Sequence, residues 1–176
     1  MISQFINNRT RKKKLLSELH DFPEGTMAIG RLDSKTEGLL LLTTDGKEST
    51  RITSSAVEKE YWAQVDGSIT DEAIEALQNS VTIGNEGRLY ETKLAKAKRL
   101  TNVSELPSSE FRIRNERHGP TSWVSITLTE GKFKQVRKMT AAVGFPTLRL
   151  VRVRIGELHL GDLKVGEVCE VNALKV

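Results

Sequence analysis

Apolar and polar residues alternate over Glu60–Val65, where Tyr61, Ala63 and Val65 share one face and Trp62 and Gln64 the other. The alternation returns over Trp123–Thr129, with Val124, Ile126 and Leu128 aligned. Side chains that switch faces at every residue mark half-buried strands. Leu39–Thr43 is apolar enough for a buried strand closed by an Asp45-Gly46 turn, Thr26–Ile29 for a brief one, and Leu148–Ile155 for a longer one. Weaker strand patterns lie near Lys93–Lys98, Phe111–Arg114, Glu157–Leu160 and Val168–Val171. Helical spacing is predicted at Lys12–Leu19, after Thr70, where Ala73, Ile74 and Leu77 form the stripe, and over Phe133–Val143, which Gly144 and Pro146 terminate. Interspersed strands and helices with short turns predict an α+β fold, a mixed and largely antiparallel sheet with flanking helices and a central cleft.

Length and composition narrow this further. A chain of 176 residues with 38% apolar and 28% charged residues is sized for one well-buried unit spanning residues 1–176. No apolar run approaches the roughly 18 to 20 residues of a membrane helix, and Arg9 to Lys14 follow Met1 without an apolar leader, so a cytoplasmic protein with no membrane partner is expected. Cys169 is the only cysteine, and His20, His118 and His159 are too scattered for a compact ligand set, so no metal is expected. The net charge is only +4, yet residues 132–155 carry Lys132, Lys134, Arg137, Lys138, Arg149, Arg152 and Arg154 with no acid among them. Such a concentration suits a polyanionic partner, or else is a solvated helix face.

Chemistry is best sought in the polar loop Arg31–Glu37, set between Gly30 and Gly38 directly before the predicted apolar strand. Its aspartate, Asp33, reads either as a turn or cap residue or as a carboxylate held on a rigid rim. At about 100° per residue, Phe133, Val136, Met139, Thr140 and Val143 gather on the buried side of the predicted helix, and Arg137 falls about 40° from Phe133. Arg137 can therefore turn inward, where it needs an anionic partner, and Asp33 is the candidate. A carboxylate kept ionised in this way is ready to act as a nucleophile. Glycosidase chemistry would require a second carboxylate, for which Glu37 and Asp45 are the candidates.

Four segments, GRLDSKTEGLLLLTTDG (30–46), EKEYWAQVDG (58–67), EGKFKQVRKM (130–139) and GFPTLRLVRVRIGELHLGDLKVGE (144–167), resemble in order the motifs of the pseudouridine synthases that include the small-subunit enzyme A and the large-subunit enzymes B, E and F. Residues 112–150 are most similar to the E-type members. The resemblance implies catalytic roles for Asp33 as the essential aspartate, Tyr61 as the residue stacking on the target base and Arg137 as the partner of the aspartate. It places Arg31 where it fills the gap left by a flipped nucleotide, and it sets Leu150, with Val151 as the competing assignment, at the base pocket. Tyr61 and Leu150 also read as ordinary core residues. Lys132, Lys134, Lys138, Arg149 and Arg152 are the expected RNA-binding residues, large-subunit ribosomal RNA the expected partner of a monomer, and no cofactor is required. A non-catalytic RNA-binding assembly factor would use the same basic surface.

The chain begins inside the family's opening motif, at ISQF (residues 2–5), so one strand and the small preceding RNA-binding domain of several relatives are expected to be missing. RNA selection would then rest on this unit, with Arg9 to Lys14 and residues 132–155. A lowered stability would follow from the unpaired sheet edge.

Overall fold

A computed structural model describes residues 3–6, 14–54, 57–109, 111–114 and 116–176. In chain order the elements are β1 (Met27–Ala28), β2 (Glu37–Gly38), β3 (Leu42–Thr43), α1 (Gly46–Ser54), β4 (Lys59–Asp66), α2 (Asp71–Gln78), β5 (Thr82–Asn85), β6 (Arg88–Glu91), β7 (Lys96–Leu100), β8 (Thr121–Leu128), α3 (Gln135–Ala142), β9 (Thr147–Ile155) and β10 (Leu158–His159). A six-stranded sheet in the order β10-β9-β4-β8-β7 forms the middle, with β2 added to β9. Its pairings are antiparallel except β2 with β9, which is parallel. This is the α+β fold expected from the patterning.

The two alternating segments became the paired central strands. Ala63 stands between Val124 and Leu150, and Tyr61 between Ile126 and Arg152. On that face α2 and α3 close a core of Ala63, Val65, Leu77, Val124, Ile126, Val136, Met139 and Leu150, against which Tyr61 packs half-buried. The hydroxyl of Thr70 accepts from the Ala73 amide at 3.2 Å and starts α2, whose Ala73, Ile74 and Leu77 face inward. A second cluster, Ile29, Leu39, Leu41, Ile52 and Ile155, packs beneath α1.

Several expectations need correction. Leu39–Thr43 is not one strand: Glu37–Gly38 joins β9, Leu42–Thr43 pairs with Met27–Ala28, and the chain bends between them. Gly38 has φ +103°, and a Cβ there would lie 2.2 Å from the Arg152 carbonyl oxygen, so only glycine brings the loop this close to β9. The Asp45-Gly46 turn instead opens α1, with the Asp45 carboxylate accepting from the Lys47 amide at 2.8 Å. Phe111–Arg114 and Val168–Val171 form no strand, and the β5–β6 hairpin was not foreseen. The first helix reduces to a single 3-10 turn at Leu16–Glu18, and Lys12 and Lys13 lie outside the described residues, as do Arg9 and Arg11. Among the described residues no helix is long and apolar enough to cross a membrane.

Candidate active site

The Arg31–Glu37 loop is anchored to other segments at three points and closed by one turn of its own. Ahead of Asp33, the Leu32 amide donates to the Ser3 hydroxyl at 3.1 Å and that hydroxyl donates back to the Leu32 carbonyl at 3.3 Å. Within the loop, the Thr36 amide donates to the Asp33 carbonyl at 2.8 Å, a turn that fixes the aspartate's backbone. After it, Glu37 accepts from Arg149 Nε at 3.1 Å and Nη2 at 2.7 Å, and Ser109 donates to its other oxygen. The loop is thus bolted to β9 at one end and to the N-terminal segment at the other.

Arg137 is the third anchor. Its guanidinium, half-buried on α3, donates from Nη2 to the Lys35 carbonyl at 2.7 Å and from Nη1 to the Thr147 carbonyl at 3.2 Å. In place of the expected ion pair with Asp33, the guanidinium bonds to two backbone carbonyls. Asp33 still lies close enough to act on it: burial lowers the pKa of Arg137 from its ordinary value, and the negative charge of Asp33 opposes that shift. The positive charge is held beside the carboxylate by the carbonyls it caps.

The remaining candidates divide. Arg31 is exposed beside Leu32. Leu150 is 4% exposed within the core cluster, on the sheet face that carries Tyr61 and α3, whereas Val151 faces the other way. A cavity of about 1170 Å³ is lined by Asp33 and Val151 and runs past Leu39–Asp45 to the C-terminal segment; Tyr61, Leu150 and Arg137 are not among its described lining residues. The structure thus ties Asp33 to Arg137 through the loop, and Tyr61 to Leu150 through the core, without enclosing all four in one chamber.

The basic segment is not one surface. Arg149 and Arg152 are 8% and 3% exposed, which corrects their expected placement on an RNA-facing surface. Arg149 is spent on Glu37 and on the Pro107 carbonyl at 2.6 Å. Arg152 donates from Nε to the Leu39 carbonyl at 2.7 Å, and its buried Nη2 has no partner among the described residues. Arg154 pairs with Glu58 at 3.0 Å and Glu60 at 3.1 Å. On a strand buried from both sides, cations are tolerated only where such acceptors wait for them. Lys132 and Lys134 stay exposed and Lys138 half-buried. Phe133, expected on the buried side of the helix, is 63% exposed. The carboxylates weighed as second acids are both engaged, Glu37 by Arg149 and Asp45 at the start of α1. Patterning alone did not single out Ser3, whose position 29 residues before Leu32 has no periodic signal.

The fold matches that of a pseudouridylate synthase whose crystal structure superposes with a TM-score of 0.70 at 29% identity, over 87% of this chain and 60% of that one. The fold alone extends to the Cbf5-Nop10-Gar1 complex, at 16% identity and a TM-score of 0.53. The sequence pattern of the RNA pseudouridylate synthase family matches residues 2–142. Ribosomal large subunit pseudouridine synthase E of Xanthomonas campestris pv. campestris is 40% identical, over 95% of this chain and 88% of that protein. The enzyme of the same name from Vibrio parahaemolyticus is 38% identical, over 97% of this chain and 69% of its own length. The chain belongs to the RNA pseudouridylate synthase family, and its activity is that of a pseudouridine synthase.

Proposed function

We propose that this protein converts one uridine of large-subunit ribosomal RNA to pseudouridine, with Asp33 as the nucleophile. The observation that carries the assignment is the loop itself: one carboxylate on a backbone clamped by Ser3, Arg137 and the Glu37–Arg149 pair, beside a guanidinium and with both alternative acids already bonded. A single charged carboxylate fits covalent isomerisation, whereas hydrolysis calls for two. The similarity to the large-subunit enzymes named above supports the choice of RNA.

A uridine within folded RNA first leaves its stack, at a cost of a few kcal/mol. Stacking on Tyr61 returns roughly 1 to 3 kcal/mol, and Leu150, on the same sheet face, supplies the apolar wall. Arg31, exposed at the start of the loop, occupies the gap left in the RNA. Asp33 attacks at the anomeric carbon or at the uracil ring, and the bond from the ribose to N1 breaks. The base turns and rejoins the sugar through carbon 5, the bond to Asp33 breaks and frees its carboxylate, and carbon 5 gives up its proton while N1 gains one. Substrate and product are isomers, so no redox partner or group donor enters.

Unmodified large-subunit ribosomal RNA transcript, incubated with the protein and mapped by chemical labelling and primer extension, tests this. One new stop is expected with the wild type and none with Asp33→Asn. No stop with the wild type, or an equal stop with both, refutes the assignment.

A further inference from the structure

We propose that Phe133 is a stacking platform for an unpaired base of the RNA, and that Lys132, Lys134 and Lys138 hold the phosphates around it. The inference rests on the reading that the substrate is RNA and adds a second grip, outside the pocket for the target uridine.

Helical spacing would bury Phe133, but Lys134 adopts a left-handed conformation (φ 53°, ψ 34°) at the start of α3 and turns the preceding residue out of the helix. The ring is left 63% exposed. Lys134 Nζ stands 5.0 Å and Lys138 Nζ 5.3 Å from its centroid, and Lys132 Nζ stands 4.8 Å from that of Tyr90. These are cation–π distances. None of the three lysines forms an ion pair among the described residues. The carboxylate next to them, Glu130, already accepts from the Tyr90 hydroxyl, the Lys93 amide and Gln135.

An exposed aromatic ring flanked by two ammonium groups that form no ion pair among the described residues is poorly matched to an apolar protein face, which would have to strip water from those charges. It is well matched to a polyanion that presents a free base. Paired RNA hides its base faces inside the stack, whereas loops and bulges expose them. Phe133 stands four residues before Arg137, just ahead of α3, and Arg137 holds the Asp33 loop. A base on Phe133 therefore belongs to a nucleotide flanking the target.

Phe133→Ala, Phe133→Leu and Phe133→Trp, made in the full chain, are titrated with a single-stranded RNA oligonucleotide and with a fully paired duplex of the same sequence. Phe133→Ala is expected to weaken single-strand binding about 5- to 160-fold, the loss seen when a stacking aromatic is removed, and to leave duplex binding and the melting temperature unchanged. Phe133→Leu should match it. Phe133→Trp should restore affinity and show quenching on binding beyond that of the wild type with Trp62 and Trp123. Lys134→Ala and Lys138→Ala should each lower the log-log salt slope by about 0.7, a slope Phe133→Ala leaves intact. Binding within twofold of wild type for Phe133→Ala, a leucine variant as tight as the tryptophan variant, no added quenching, or a lowered melting temperature overturns the proposal. Binding is read without turnover, so a wild type that makes no pseudouridine would refute the proposed function and leave this grip standing.

Discussion

Replacing Arg149 by methionine separates a structural cation from an RNA-binding one. The side chains of Arg149 and Glu37 are 9% and 18% exposed and meet at 2.7 Å, and Nη2 also serves the Pro107 carbonyl. Arg149→Met removes the guanidinium and leaves the largely enclosed Glu37 carboxylate with only Ser109 donating to it from among the described residues. Breaking one side of a buried pair costs about 3 to 5 kcal/mol. In a domain of this size each kcal/mol lowers Tm by roughly 2 to 4 °C, so a fall of roughly 6 to 20 °C is expected in calorimetry. Glu37→Leu combined with Arg149→Met should recover most of it, because two apolar groups leave no orphaned charge. The salt slope of RNA binding, measured on the folded variant, should stay at the wild-type value. A variant that melts like the wild type while its salt slope falls by about 0.7 to 0.9 would put Arg149 on a phosphate and refute the reasoning.

Two further outcomes follow from the geometry. Ser3→Ala removes the hydroxyl that brackets Leu32; a neutral hydrogen bond contributes about 0.5 to 1.5 kcal/mol, so kcat should fall roughly 2- to 12-fold with RNA affinity unchanged, and Ser3→Thr should recover it. Equal kcat for Ser3→Ala and wild type removes Ser3 from positioning. For Glu60, burial raises the pKa, but bonds from Trp62, Ser125 and Arg154 outweigh it and leave the group lowered. A carboxylate depressed in the folded state stabilises above its unfolded pKa of about 4.3 and loses that contribution as pH falls through the folded value. Denaturant midpoints should therefore drop on acidification below that point, and less steeply in Glu60→Gln. A parallel drop in both proteins would refute it.

The same geometry shows which features had to be read from the sequence and which from the packing. β4, β8 and the stripe of α2 were legible because a strand or helix with one buried face writes its period into neighbouring residues, as Tyr61-Ala63-Val65 and Ala73-Ile74-Leu77 do. The carboxylate loop was legible from its motif and its place before an apolar run. The β5–β6 hairpin escaped because its turn uses Glu86-Gly87, with Glu86 at φ 51°, instead of the stronger Asn-Gly signal. α1 escaped because GKESTRITS buries only Ile52.

Local composition determined that seven cations crowd residues 132–155 and that an aspartate stands before an apolar stretch. Which of those cations meet solvent was decided by tertiary structure alone. β9 lies between β4 and the 37–38 strand, so its arginines are drawn inside and spent on Glu37, Leu39 and Glu60, while the lysines around Phe133 stand at the start of α3 without an ion pair among the described residues. A side chain's charge is written in the sequence, but its partner depends on contacts about a hundred residues away along the chain, and no local period records them.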